Sequence, residues 1–172
     1  TIRFLPDVIS DDNPDGIFER GVTFDFDVLK KRLREMAFLN KGISLNLYDK
    51  RPDEEGNTHE DHFYSEEGLK EFVKYLDATR GTPIIEQIIY LDTEKNGVPV
   101  EVAMQYNDSF SENVHSYVNN INTIEGGTHL VGFRMALPRT LKKYADNDPV
   151  ISKQIEKAKI EIAGEDFREG LT

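Results

Sequence analysis

Between Asn119 and Leu130 the chain reads Asn-Asn-Ile-Asn-Thr-Ile-Glu-Gly-Gly-Thr-His-Leu, and no other stretch makes so many specific demands on the backbone. The asparagines can satisfy their own backbone in turns, and Gly126-Gly127 lets the chain reverse. Val114 to Ile121 is expected as a strand leading in, and Leu130 to Tyr144 as a long helix leading out, capped by Thr128 or a neighbour. At 100° per residue, Leu130, Phe133, Leu137, Leu141 and Tyr144 share one stripe of that helix. Arg139, Lys142 and Lys143 fall near the opposite face, with Arg134 at the stripe's edge. One side packs and the other is cationic. Pro138 removes a hydrogen bond to the carbonyl of Arg134 and is expected to kink or restart the helix.

That cationic strip stands out because the chain is acidic, with 32 acids against 21 bases and a net charge of −11 over 172 residues. Such a balance repels a polyanion overall, so strong nucleic-acid binding is not expected. A length of 172 residues with 38% apolar composition fits one domain. The absence of cysteine excludes thiol catalysis, disulfides and cysteine-based zinc sites. No run approaches a membrane span and Thr1 to Pro6 lacks the layout of a secretory signal, so a cytoplasmic protein without membrane association is expected.

In chain order, Thr1 to Leu5 alternates like a short strand that Pro6 ends, opening without a turn or cap as a cut from a longer protein would. Asp7 to Gly21 is a polar loop. Asp25 is a helix cap, Phe26, Leu29, Leu33 and Met36 recur at helical spacing, and the helix is expected to end near Asn40. Ile43 to Tyr48 and the run through His62-Phe63-Tyr64 read as a hairpin around the acidic turn Asp53 to Thr58. Ser65 is expected to cap a helix with Leu69, Phe72, Val73 and Leu76 on its core face. Ile84 to Leu91 reads as a well-buried strand, Asn96-Gly97 as a hairpin signal, and Val98 to Asn107 as a two-faced strand. Val150 to Ile162 fits helix or strand equally, and Gly164 to Leu171 reads as a short turn of helix closed by glycine. The elements together give an α+β layer fold.

Four motifs invite chemistry and each has a plainer explanation. Asp11-Asp12-Asn13-Pro14-Asp15-Gly16 matches the first half of a calcium loop, but position twelve is Val22 where a bidentate Glu is needed, so a turn is expected. His59 and His62 are three apart, which in a strand sends them to opposite faces rather than to one ion. Gly126-Gly127 before a helix lacks the following Lys-Ser/Thr of a phosphate loop. His129 with Glu125 is the only pair that a small hydrolase could use, and no Ser or Asp at a motif spacing supports it. No catalytic, cofactor-binding or metal-binding residue is assigned on these grounds.

Several segments resemble one family. Gln105-Tyr106-Asn107-Asp108-Ser109-Phe110-Ser111-Glu112-Asn113, the Asn-Asn-Ile-Asn-Thr run, Glu125-Gly-Gly-Thr-His-Leu130 and Gly132-Phe133-Arg134 resemble the transducer domain of the B-subunit of bacterial DNA gyrase, whose close relative is the B-subunit of topoisomerase IV. Phe24-Asp25-Phe26, the run from Lys31 to Gly42, the helix around Gly68 to Leu76, and Gly164-Glu-Asp-Phe-Arg-Glu-Gly-Leu171 extend the similarity in the right order over nearly the whole chain. The departures are the acidic loop Asp11 to Gly16, Pro138 and the lysine-rich segment from Val150 to Ile162.

The resemblance implies a ribosomal protein S5 domain 2-like fold, mainly a four-stranded sheet with helices on one side and a left-handed βαβ crossover, an exception to the usual hand. It implies one transducer domain over 1–172, with 1–22 a lead-in strand and loop from a preceding ATPase domain and a truncated C-terminal end. The implied function is to relay nucleotide state to the DNA gates of an ATP-dependent type II topoisomerase. Arg134, Arg139, Lys142 and Lys143 would line the cavity for the transported duplex. ATP and Mg2+ are implied for the parent protein and none for this segment, which lacks the family's Gln-Thr-Lys loop and is expected to be inactive alone. Implied partners are DNA, held weakly and without sequence preference, the gyrase A-subunit and a second copy of the B-subunit. A non-catalytic S5-like module binding nucleic acid or protein, and the topoisomerase IV B-subunit, are the alternatives.

Overall fold

The carboxylate of Asp25 accepts the amide of Val28 at 2.9 Å and so starts helix α1, Phe26–Leu39, in the computed structural model of the chain, which describes residues 1–19 and 22–172. The polar loop expected as far as Gly21 ends outside the described residues. Asn40 closes α1, its amide and side chain both donating to the carbonyl of Met36. Strands β1, Leu45–Asp49, and β2, His59–Phe63, then pair antiparallel with Leu45 opposite Phe63. Their turn is built by Asp53, whose Oδ1 accepts the amides of Glu55 at 2.9 Å and Asn57 at 2.8 Å.

Helix α2, Leu69–Asp77, begins later than its expected cap, because Ser65 closes a preceding turn by accepting the amide of Gly68 at 2.9 Å. Glu71 reaches back to accept the amides of Glu66 and Glu67, which ties that turn to the first turn of the helix. Strands β3, Ile89–Lys95, and β4, Val98–Met104, form the second ribbon. Asn96 and Gly97 both have positive φ, 55° and 77°, as a two-residue hairpin turn requires. Strands β5, Tyr117–Val118, and β6, Ile121–Asn122, repeat that device with Asn119 and Asn120 at φ 50° and 63°. Helix α3, Thr128–Asn147, follows, and Asp148 ends it while capping α4, Pro149–Ala158, through the amides of Val150 and Ile151. The segment that fitted helix or strand is thus helical as far as Ala158, set by an Asp-Pro start. A 3-10 turn at Asp166–Arg168 leads to the last residues.

Ala37, Phe63, Phe72 and Val73 make the main core between α1, α2 and the first ribbon. Phe72 stacks on Phe38 at 5.1 Å and meets Tyr117 at 6.2 Å, and burying such a ring stabilises by about 2 kcal/mol. A polar knot lies at the far end of α2. Asp77, only 4% exposed, accepts from Asn107 Nδ2 at 2.8 Å and from Thr172 Oγ1 at 2.5 Å. It joins the helix to two backbone segments that also pair with each other, since Gln105 and Thr172 exchange both amide bonds at 2.9 Å.

The α+β class is present, with its strands divided into three two-stranded antiparallel ribbons rather than gathered in one four-stranded sheet. Among the described residues no two named strands pair in parallel, so no βαβ crossover is made by hydrogen-bonded neighbours. Sheet pairing does widen beyond β4, where residues 105–107 bond to 170–172 on one side and 82–84 on the other. Thr1 to Leu5 forms no strand, for it has no strand to pair with, and Ile2 is 92% exposed. Ile84 to Leu91 enters its strand only at Ile89 and is not well buried, because Pro83 and the bonds to Tyr106 bend the first half into turns. Val114 to Ile121 is cut by the Asn-Asn turn. No helix among the described residues is long and apolar enough to cross a membrane.

Candidate nucleic-acid interface

Helix α3 carries the candidate site, and the turn before it fixes where the helix starts. Gly126 holds φ 82°, which only glycine adopts freely, and no side chain caps α3. Thr123 supplies the order instead: its amide and hydroxyl both donate to the carbonyl of Ser116, at 2.8 and 3.0 Å, and its Oγ1 lies 2.6 Å from Ser116 Oγ and 3.1 Å from His129 Nε2. The imidazole in the first turn of α3 is therefore bonded to a threonine and not to Glu125, which leaves the suggested His-Glu pair unassembled.

The helix runs unbroken through Pro138, so the proline does not restart it. Leu137 is buried, while Phe133 and Leu141 are half-buried. Tyr144, expected on the packed stripe, is 64% exposed. Arg139, Lys142 and Lys143 are exposed on the opposite face, and among the described residues none of them is held in an ion pair. Three cations on one face of an acidic chain make a local positive strip with room for exchangeable phosphate contacts.

Arg134 is placed differently. By helical rotation it lies about 140° round α3 from Arg139 and about 80° from Lys142. Its Nε donates to Glu112 Oε1 at 2.8 Å, and the same carboxylate meets Arg168 Nε at 3.4 Å through its other oxygen. The second contact is an ion pair without hydrogen-bond alignment, since Arg168 Nε is buried with no bonded acceptor. Two guanidiniums on one carboxylate leave this cluster with one net positive charge, half-exposed at Arg134. The structure thus leaves Arg139, Lys142 and Lys143 exposed on α3 and ties Arg134 to Glu112. Sequence reasoning missed Glu112 and Arg168 as its neighbours. Both stand in recognisable motifs, but no spacing links residues 112, 134 and 168.

Two concavities lie on the described surface. One concavity, of about 460 Å³, is lined by Phe4, Leu5, Pro6, Phe18, Val22 and Phe24, with Asp7 as its only charge. A second, of about 440 Å³, contains Lys50 and Arg51. Arg51, however, is committed to Asp49 at 2.5 Å and to the Phe24 carbonyl at 2.6 Å. Among the described residues no three His, Asp or Glu side chains converge as a metal ion would need. His59 faces Asp53 at 3.6 Å whereas His62 takes Asn46 at 2.7 Å.

Comparison with known proteins identifies the family. Residues 68–172 match the family model described as DNA gyrase B. The chain is 53% identical over 172 residues to the B-subunit of DNA gyrase from Cytophaga hutchinsonii, covering 99% of this chain and 33% of that protein. With the B-subunit of DNA gyrase from Haloferax volcanii it shares 45% identity, covering 100% of this chain and 24% of that one. The chain therefore spans a third or less of the length of these relatives. In fold it is similar to the 43K ATPase domain of Thermus thermophilus gyrase B solved with an aminocoumarin, at a TM-score of 0.67 and 28% identity, covering 88% of this chain and 39% of that chain. The B-subunit of DNA gyrase from Myxococcus xanthus superposes with a TM-score of 0.70 at 21% identity, over 92% of this chain and 41% of that one.

Proposed function

The chain belongs to the DNA gyrase B family, and from that premise we propose that it is the transducing segment of an ATP-dependent type II topoisomerase, lining the cavity through which a duplex is carried. In this reading residues 1–172 are one transducer domain, with 1–22 leading in from an ATP-binding module. The parent protein works in the cytoplasm with ATP and Mg2+, a second copy of itself, the gyrase A-subunit and DNA. This segment contributes no step of ATP hydrolysis.

The observation that supports the cavity role best is the exposed strip of Arg139, Lys142 and Lys143 on α3, in a chain whose net charge is −11. A transported duplex has to be attracted enough to enter and released without delay. A few phosphate contacts without base readout meet both needs, and the surrounding acidity limits the affinity. Each phosphate neutralised contributes about 0.9 to the slope of log affinity against log salt.

The test is a titration of the 172-residue chain with a fluorescent duplex at several salt concentrations. Weak, sequence-independent and steeply salt-dependent binding is expected. Replacing Arg139, Lys142 and Lys143 together by Gln lowers the slope by about 2 to 3. An unchanged slope, or binding that distinguishes sequences, contradicts the reading. Micromolar binding of a non-hydrolysable ATP analogue to the chain alone would contradict the division of labour.

A further inference from the structure

Helix α1 and the β5–β6 turn are joined by polar contacts that the cavity role does not use. Tyr117 donates its hydroxyl to Glu35 Oε1 at 2.5 Å, and Glu35 is also ion-paired with Arg32 through its other oxygen. Arg32 Nη2 in turn donates to the backbone carbonyl of Asn120 at 2.9 Å. Asn120 Nδ2 donates to Asn40 Oδ1 at 2.7 Å, and Asn40 is itself fixed by donating to the Met36 carbonyl at 2.8 Å. Three separate bonds thus cross between elements about eighty residues apart in the chain. Burial and the Glu35 hydrogen bond together hold the Tyr117 phenol well above its usual range, so the hydroxyl stays a donor.

The far side of the same hairpin leads to the cationic helix. Ser116 adjoins Tyr117, its carbonyl and hydroxyl hold Thr123, and Thr123 meets His129 in the first turn of α3. Since α3 has no side-chain cap of its own, this hairpin is what fixes its entry. From the contacts Glu35–Tyr117, Arg32–Asn120 and Asn40–Asn120 we infer that α1 positions the start of α3, and with it the Arg139, Lys142 and Lys143 strip, as positioning residues for strand passage. The inference rests on the transducer reading above.

A purely structural knot would stabilise the fold wherever it stood. This one joins two specific elements, and each bond in it can be removed singly. Tyr117→Phe deletes one hydroxyl and keeps the ring against Phe72. Asn120→Gly deletes the bond to Asn40 and keeps a residue suited to φ 63°. Phe63→Leu, in the core away from the hairpin, serves as a control of similar destabilisation.

The experiment uses the full-length protein carrying this segment, assembled with the gyrase A-subunit, and reads two quantities. Hydrogen exchange over residues 128–137 is expected to quicken about fivefold in Tyr117→Phe and in Asn120→Gly, the equivalent of one lost hydrogen bond. It stays unchanged in Phe63→Leu. The linking-number change per ATP hydrolysed is expected to fall by a similar factor in the two hairpin variants only, with the KM for ATP unchanged. Unchanged exchange in the hairpin variants, or equal loss of coupling in Phe63→Leu, overturns the inference. If the unmutated protein passes no strand at all, the transducer reading fails, and the exchange measurement still decides whether α1 positions α3.

Discussion

Arg134 Nε donates to Glu112 Oε1 at 2.8 Å, so the arginine of the Gly-Phe-Arg run is drawn to the packed side of α3 and away from the strip formed by Arg139, Lys142 and Lys143. Glu112 is the shared anchor of Arg134 and Arg168, and its side chain is 23% exposed. Glu112→Gln keeps the shape and removes the charge. Both arginines then face each other without a counter-charge, and a cost of about 1 kcal/mol is expected for such half-exposed pairs. The thermal midpoint is expected to fall by about 2–4 °C. A midpoint that stays or rises would show that the pair contributes nothing to stability.

Gly170 has φ +69° and faces the Asn107 carbonyl so closely that an added Cβ would overlap that oxygen. Backbone on both sides has to move to admit a methyl group. Gly170→Ala is therefore expected to cost about 3 kcal/mol or more, from the positive φ and the overlap together. Differential scanning calorimetry measures it, and a loss smaller than about 1 °C would contradict the close approach.

Asp77 tests the polar knot by the same logic. Asp77→Ala strands Asn107 Nδ2 and Thr172 Oγ1 in a buried place, which is expected to cost about 2–4 kcal/mol, whereas Asp77→Asn keeps an acceptor and costs less. Denaturant unfolding of the two variants gives the order. Equal losses would mean that the knot stabilises through charge and not through hydrogen bonding.

Much of this architecture was legible because its signals are local. Asp25 starts a helix, Asn96-Gly97 turns a hairpin, and Phe72 and Val73 sit at core spacing, whereas the Asp148-Pro149 start of α4 was not distinguished from a strand. Relations between distant residues were not legible. Ser65 and Glu71 cap a turn before α2, Asp77 reads as an ordinary acid at a helix end, and Glu112 carries no mark of its two arginines. The alternation of Thr1 to Leu5 and Ile84 to Leu91 suggests strands, but a strand exists only where a partner edge does, and the sequence does not say where edges lie. The strip at Arg139, Lys142 and Lys143 was legible from helical phase, and the separation of Arg134 was half-legible as a residue at the stripe's edge.

The pH dependence of stability follows from the first ribbon. Asp49 is held down to about 2, from 3.8, chiefly by hydrogen bonds from the Arg51 side chain and amide. Asp61 is lowered as well, first by its bond from Lys30. A carboxylate with a depressed folded value contributes stability above its unfolded value and loses it as pH falls through the folded one. For Asp49 the loss therefore runs between about pH 4 and about pH 2. In that window the thermal midpoint of Asp49→Asn is expected to fall less steeply than that of the unmutated chain, and parallel curves would contradict the assignment.

The most direct test of the transducer account is the number of links changed per ATP hydrolysed by the full-length protein with its A-subunit partner, compared for Arg134→Gln and Glu112→Gln. If the charge of Arg134 acts on the transported duplex, Arg134→Gln lowers the ratio by about tenfold, the worth of one charge-assisted contact, and leaves the KM for ATP alone. Glu112→Gln, which removes the same ion pair but keeps the arginine, is expected to hold the ratio near that of the unmutated enzyme. Strand passage by Arg134→Gln at the unmutated rate and ATP stoichiometry, or an equal loss in both variants, would contradict the cavity role of Arg134 and leave it as a structural partner of Glu112.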